Sequence, residues 1–290
     1  MNHKLRSLLR SGILIKSAVH SNVYLFLGCY GILAMIGIYF STRWFFHASL
    51  DPAFIPSLPP AWWLQGDLNH LLGTDQQGRD IFDLLLIAYK STLLMTLKAT
   101  IAVIIISVII NYILFFIAPI RIIIQLLFRV ILAIPPILSA MTISLLLDNN
   151  LSYLLMIVGL SYLPKFVHNI HEAIMKERKK TYIIAYKLDG LSNSKILNRY
   201  ILPNIAPIYL TEIIALFSYI LLTVTVLTFL GFGYKAHAPD LGAMMFYMVD
   251  LLPTNHWGFL APGIIIIITI FLMNFFNIGL NSILTKYSGR

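Results

Sequence analysis

Six apolar runs divide the sequence, and runs of this kind cross about 30 Å of hydrocarbon as helices. They lie at Asn22–Phe40, Thr92–Ile117, Ile122–Leu147, Leu151–Val167, Ile205–Leu230 and Phe259–Ile283. In lipid every backbone N–H and C=O must find its partner inside the protein, which a helix provides within one segment. Composition agrees. Of 290 residues 59% are hydrophobic and only 11% charged, against roughly 25% charged in a water-facing domain. The expected fold is an all-α polytopic membrane protein with six transmembrane helices. The fourth run is the shortest and carries Pro164 and Lys165. The third contains Pro135-Pro136, which predicts a kink within one span rather than two spans. The first run is long enough to span and lacks a small-residue cleavage site, so no cleavable signal peptide is expected. The single Cys29 lies in it, which leaves no internal disulfide or cysteine metal cluster.

Charge gives the orientation. Six spans put both termini on one side. With the termini inside, the outer segments hold only Arg43, Arg79, Lys90 and Lys235 of the 21 Lys and Arg, and the inner segments hold about three times as many. Most of the 12 acids lie outside. Both termini are therefore expected in the cytoplasm. The net charge of +9 is read as cytoplasmic loops beside anionic lipid, not as nucleic-acid binding. The chain then divides into an N-tail (1–21), a first transmembrane helix (22–40), an extracytoplasmic loop (41–91), a five-helix core (92–283) and a C-tail (284–290). The core includes a cytoplasmic loop at 168–204 and an extracytoplasmic loop at 231–258.

The cytoplasmic loop carries the least ordinary stretch, YIIAYKLDGLSNSKILNRYILPNIAP from Tyr182 to Pro207. Asp189-Gly190 permits a turn through positive φ, and Ser192 is placed to cap a new helix. Ile196, Leu197, Tyr200 and Ile201 fall on one helical face, with Ser194, Lys195, Asn198 and Arg199 opposite. Pro203 and Pro207 are expected to end this element before the fifth span. Its apolar face has three possible covers: the ends of its own spans, lipid headgroups, or a soluble partner offering a groove.

This stretch resembles the EAA loop of binding-protein-dependent ABC importers: Glu-Ala-Ala, three residues, Gly, nine residues, Ile-x-Leu-Pro. With Gly190 on the family glycine, Ala185 matches the first alanine and Leu202-Pro203 the closing Leu-Pro. Ile184, Tyr186 and Tyr200 depart from the family's glutamate, second alanine and isoleucine. Two further segments strengthen the likeness. HLLGTDQQGRD at His70–Asp80 resembles the LGTDxxGRD signature of subunit-C-type peptide and nickel permeases, through Leu72, Gly73, Thr74, Asp75, Gly78, Arg79 and Asp80. FLGFGYKAHAPDLGAMM from Phe229 resembles that family's FLGLG and PxWGxM, through Gly231, Gly233, Pro239 and Gly242, with Leu241 replacing tryptophan. Within the family the chain is most similar to the Sap-type antimicrobial-peptide permeases.

The resemblance implies an ABC importer type I permease fold in the bacterial cytoplasmic (inner) membrane, forming half of a heterodimeric pathway. The implied partners are a homologous permease subunit, two cytosolic ABC ATPases and an extracytoplasmic substrate-binding protein. ATP and Mg belong to the ATPases. This chain has no G-x-x-x-x-G-K-[ST] and is expected not to be an enzyme. The residues implied to couple it to the ATPases are Ala185, Asp189, Gly190, Ile196, Leu197, Tyr200, Leu202 and Pro203. Peptide is the expected cargo, with a polyamine and nickel or a metal chelate as alternatives. The acidic outer side would also attract a cationic peptide.

Other residues invite chemistry of their own. Arg129 and Glu212 lie at similar depth in their spans with opposite charge, and form a candidate intramembrane ion pair. Asp75, Arg79 and Asp80 are read first as a structural cluster and second as a substrate contact, with Thr74 or Asp75 placed to cap the following helix. His168 and His171 stand at i, i+3 without a third ligand nearby, so no metal site is expected. Met244, Met245 and Met248 are read as packing. A secondary transporter would need paired internal halves and charges at mid-membrane. An intramembrane enzyme would need a nucleophile–base or metal-ligand set, and no HExxH or comparable cluster occurs.

Overall fold

The computed structural model describes residues 23–37, 55–146, 151–233, 240–253 and 255–287. Pro239 and the expected N-tail lie outside the described residues, and the last helix runs into the expected C-tail as far as Tyr287. The helices are α1 (Val23–Gly37), α2 (Ile81–Phe116), α3 (Ala118–Leu132), α4 (Pro136–Leu146), α5 (Leu151–Arg178), α6 (Thr181–Leu188), α7 (Asn193–Ile196), α8 (Leu202–Phe229), α9 (Leu241–Met248) and α10 (Trp257–Tyr287). Among the described residues there is no strand, only an isolated bridge between Thr74 and Asp80. Where described, each expected apolar run is mainly helical, and the third is broken between Leu132 and Pro136. Among the described residues three helices are long and apolar enough to cross a membrane: α2, the run Asn193–Phe229 and α10, with a fourth if the bent pair α3–α4 counts as one span.

Three boundaries differ from the sequence expectation. α2 begins at Ile81, so Ile81–Ser91 forms its first turns rather than the end of a loop. Apolarity alone hid this start, because Asp83 and Lys90 interrupt the oil there. The cap is Asp80, whose side chain accepts from the backbone N–H groups of Phe82 and Asp83, and neither Thr74 nor Asp75 caps it. The Pro135-Pro136 site is more than a kink, because α3 and α4 meet at 87°. Pro136 disfavours the α conformation at Pro135, and two adjacent residues lack donors, so the helix must stop and restart. Pro203 and Pro207 do not end the α7 segment. The chain passes through one π-helical turn, Leu197–Ile201, in which the Leu202 N–H reaches the Leu197 carbonyl. That widened turn accommodates the ring of Pro203, and the helix continues as α8.

Two cores hold the bundle together. The first joins α2, α5 and α8 to the α6–α7 segment through Val103, Leu154, Val167, Ile196, Ile201 and Ile220. The second joins α1, the start of α2, α8, α9 and α10 through Met35, Ile81, Leu221, Met244, Met248 and Ile266. Glycines bring α1 onto α10. A Cβ on Gly28 would lie 2.5 Å from the Phe276 Cα, and one on Gly279 2.5 Å from the Leu25 backbone nitrogen. Close backbone approach at small residues is how helices gain packing in lipid, where apolar burial offers no advantage over hydrocarbon.

Candidate functional site

The α6–α7 segment lies at one end of the bundle, against the far ends of α2 and α5. Arg178 sits 4.9 Å above the Phe115 ring there. Gly190 supplies the bend at φ +82, and Ser192 caps α7 by accepting from the Lys195 backbone N–H. The apolar face seen in the sequence turns inward: Ile196 and Leu197 are each 2% exposed and belong to the chain's own core. Any coupling role they have acts through seating the segment on the bundle. The outward apolar surface belongs instead to α6, where Ile184 is 51% and Leu188 83% exposed, one turn apart. Ala185, Asp189 and Gly190 are exposed beside them, as are Leu202 and Pro203 at the base of α8.

A polar network that motif reading missed fixes α6 in place. The Glu177 carboxylate, buried at the end of α5, accepts from Lys180 Nζ at 2.7 Å and from the Tyr182 hydroxyl. Asn204 Nδ2 of α8 donates to the same hydroxyl at 2.7 Å. The network therefore ties α5, α6 and α8 together. Two departures from the family pattern also answer each other, because the Tyr186 and Tyr200 rings are 4.2 Å apart. Replacing Tyr186 by Ala or Tyr200 by Ile alone leaves one ring unpacked. The double substitution should therefore cost less than the sum, by about 0.5–1.5 kcal/mol in a double-mutant cycle on thermal unfolding. Strict additivity would mean that the rings do not interact.

The opposite end carries the other two motifs, and its polar groups are used locally. Asp75 accepts from the backbone N–H groups of Gln77 and Arg79 at 2.8 Å and from Arg79 Nε at 2.7 Å. Thr74 Oγ1 donates to the Ile55 carbonyl and accepts from the Leu58 N–H. Asp80 meets His70 Nδ1 at 2.7 Å while capping α2. Gly73 and Gly78 make their turns at φ +81 and +76. Asn255 then links the loops, donating to the carbonyls of Leu58 and Leu72. The LGTDQQGRD segment is thus a knot that holds the start of α2, and Thr74, Asp75 and Asp80 face inward.

The region 231–258, expected as a loop, contains α9 wedged among α2, α8 and α10. Gly231 and Gly233 turn the chain at φ +86 and +82. Asp240 is 2% exposed. It caps α9 by accepting from the N–H groups of Gly242 and Ala243 and from Thr228 Oγ1 at 2.6 Å. Burial raises its pKa, and these hydrogen bonds oppose the shift. Met244 and Met248 are core residues.

The expected Arg129–Glu212 pair is absent. No ion pair joins them among the described residues. α3 packs through Ile124 and Phe128 and leaves Arg129 exposed. Glu212 accepts instead from Asn169 Nδ2 of α5 at 3.0 Å. It shares a pocket with Tyr162, Lys165, Phe166, Leu216 and Tyr219. His168 meets Glu172 at 3.2 Å, while His171 is buried. No group of three potential metal ligands occurs among the described residues.

These features can be set beside known proteins. A family profile described as binding-protein-dependent transport system inner membrane component matches residues 116–284. The peptide transport system permease protein SapC of Haemophilus influenzae is 34% identical over 231 residues, covering 79% of this chain and 78% of that one. SapC of Escherichia coli is 30% identical over 277 residues, covering 90% and 89%. The di/tripeptide transport system permease protein DppC of Pseudomonas aeruginosa is 28% identical over 228 residues, covering 78% and 75%.

Proposed function

This chain belongs to the binding-protein-dependent transport system inner membrane components, and from that premise we propose that it is one permease subunit of a peptide importer driven by separate ATPases. The reading gives it a homologous permease across the pathway, two ATPases beneath it and a substrate-binding protein above it, with ATP and Mg bound to the ATPases. Both termini are cytoplasmic by the distribution of Lys and Arg. In that orientation the α6–α7 segment projects on the ATPase side and the LGTDQQGRD knot faces the binding protein. Peptide cargo follows the peptide permeases it resembles, and cationic antimicrobial peptides follow the SapC likeness.

The observation that carries the coupling role is the pairing of an exposed apolar tip with a rigid mount. Ile184 and Leu188 stand outward one helical turn apart, the spacing by which a helix engages a groove. Their helix is held to α5 and α8 through Glu177, Tyr182 and Asn204. A push on the tip is therefore delivered to two long helices rather than absorbed by a loop.

A charge at the tip tests this. Leu188→Glu in the complete complex, reconstituted with ATPases and binding protein, should lower ATP-driven peptide uptake and ATPase co-purification by at least about tenfold. A buried carboxylate without a partner costs more than the ~1.4 kcal/mol that this factor represents. Membrane insertion should be unchanged, because the residue contacts no core. Full uptake with a normal complement of ATPases would show that the α6 tip is not the docking surface.

A further inference from the structure

The pocket shared by Lys165 and Glu212 has no role in the coupling segment or in either loop motif. Its depth is set by α8. Tyr219, whose ring lies 4.5 Å from the Lys165 ammonium, is fourteen residues past Ile205, or about 21 Å along the helix at 1.5 Å per residue. The other end of that apolar run, Leu230, is eleven residues away, or about 16 Å. Lys165 itself stands mid-helix, fourteen residues from Leu151 and thirteen from Arg178, because α5 runs on past the expected span end at Val167.

At this depth Lys165 is exposed on the surface of the chain. Charged groups among transmembrane helices face a protein interior or a water-filled cavity, because hydrocarbon cannot solvate them. The α5–α8 face is therefore not a lipid face. Its walls are aromatic: Tyr162 and Tyr219 stack with centroids 6.0 Å apart, and Tyr162 bonds Thr223 at 2.7 Å. Neither charge is satisfied by the other. Lys165 makes no ion pair among the described residues, and Asn169 supplies Glu212 with one donor only. An ammonium offers three donors and a carboxylate about four acceptor sites, so both retain capacity toward a passing molecule.

We propose that Lys165 and Glu212 are the charged contacts that cargo meets on this chain's wall of the translocation path, and that they select a zwitterionic peptide. This rests on the peptide-importer reading above and narrows its substrate class. The Lys165 ammonium takes a cargo carboxylate, the Glu212 carboxylate takes a cargo ammonium, and the tyrosine faces pass apolar side chains. A polyamine or a bare metal cation would instead meet a fixed positive charge midway.

The test uses the full complex in proteoliposomes, with Lys165→Met, Lys165→Arg and Glu212→Gln each compared with wild type. The cargo is one short peptide offered as the free acid, the C-terminal amide and the N-acetylated form, each first checked for capture by the binding protein. Lys165→Met should slow the free acid about tenfold, the scale of one charge-assisted hydrogen bond, and slow the amide far less. Glu212→Gln should slow the free amine and spare the acetylated form, and Lys165→Arg should restore most of the rate. Equal effects on free-acid and amidated peptide would overturn the proposal. So would loss of the partner permease on purifying Lys165→Met, which would mean that the ammonium pairs across the subunit interface. A wild-type complex that imports a polyamine or nickel chelate but no peptide would defeat the underlying peptide reading, a result the variants alone cannot produce.

Discussion

Gly190→Val should bring ATP-driven uptake down to the level measured without ATP while leaving the amount of inserted protein unchanged. The reason is conformational and not steric. Gly190 sits at φ +82, and a Cβ built on it would meet nothing within 4 Å. Valine therefore fits in space but not in backbone, since a β-branched residue in the left-handed region carries strain of about 1–3 kcal/mol. The turn relieves that strain by opening. α7 is pinned by buried Ile196 and Leu197 and the start of α6 by Tyr182 and buried Ile183, so the movement falls on the last turn of α6 and carries Leu188 away from its partner. Insertion is untouched because the turn lies outside both cores. Asparagine, which tolerates the left-handed region, supplies the control: Gly190→Asn should keep most of the activity. If valine transports like wild type, or if asparagine fails as completely as valine, backbone conformation at this turn is not what links the ATPases to the spans.

Gly242 should fail for the opposite reason. Its φ is unexceptional, but a Cβ there would lie 2.1 Å from the Thr225 carbonyl oxygen and 2.2 Å from Thr228 Oγ1. No rotamer change relieves a contact with the α8 backbone, so even alanine must push α9 outward. That displacement strains the Thr228–Asp240 bond and the bond from the Leu241 N–H to Thr92 Oγ1. Overpacking of this kind costs roughly 1–3 kcal/mol for one added methyl and more for a branched side chain. Gly242→Ala should lower the melting temperature of the detergent-solubilised complex, and Gly242→Val should leave little monodisperse protein. A Val variant that melts with wild type would mean that α9 does not rest on α8 at Thr225. The two glycines together separate a signalling defect from a folding defect.

Much of the architecture was legible because lipid leaves a backbone few options. The apolar runs became helices, the third as a pair broken at its prolines, and Ser192 and Gly190 made the cap and turn their residue types favour. The helix boundaries were less legible. The start of α2 depended on an aspartate cap that apolarity does not register, and the α7–α8 junction on a π turn that let Pro203 remain inside a helix. Reading depth from residue counts placed Arg129 opposite Glu212, but counts carry no rotation. α3 turned Arg129 outward, and Glu212 found Asn169 and the neighbourhood of Lys165.

The same division runs through the functional surfaces. The sequence alone determined that this chain is a bundle of lipid-crossing helices bearing three family motifs, because hydrophobic run length and local turn chemistry act within a few residues. Only the tertiary structure decided which faces stay open. The apolar face of α7 was consumed by the chain's own core, which left α6 as the tip. The LGTDQQGRD acids were consumed by a loop knot, and Tyr186 was matched with Tyr200. Burial is a property of pairs of elements distant in sequence, so it is settled when helices pack and not before.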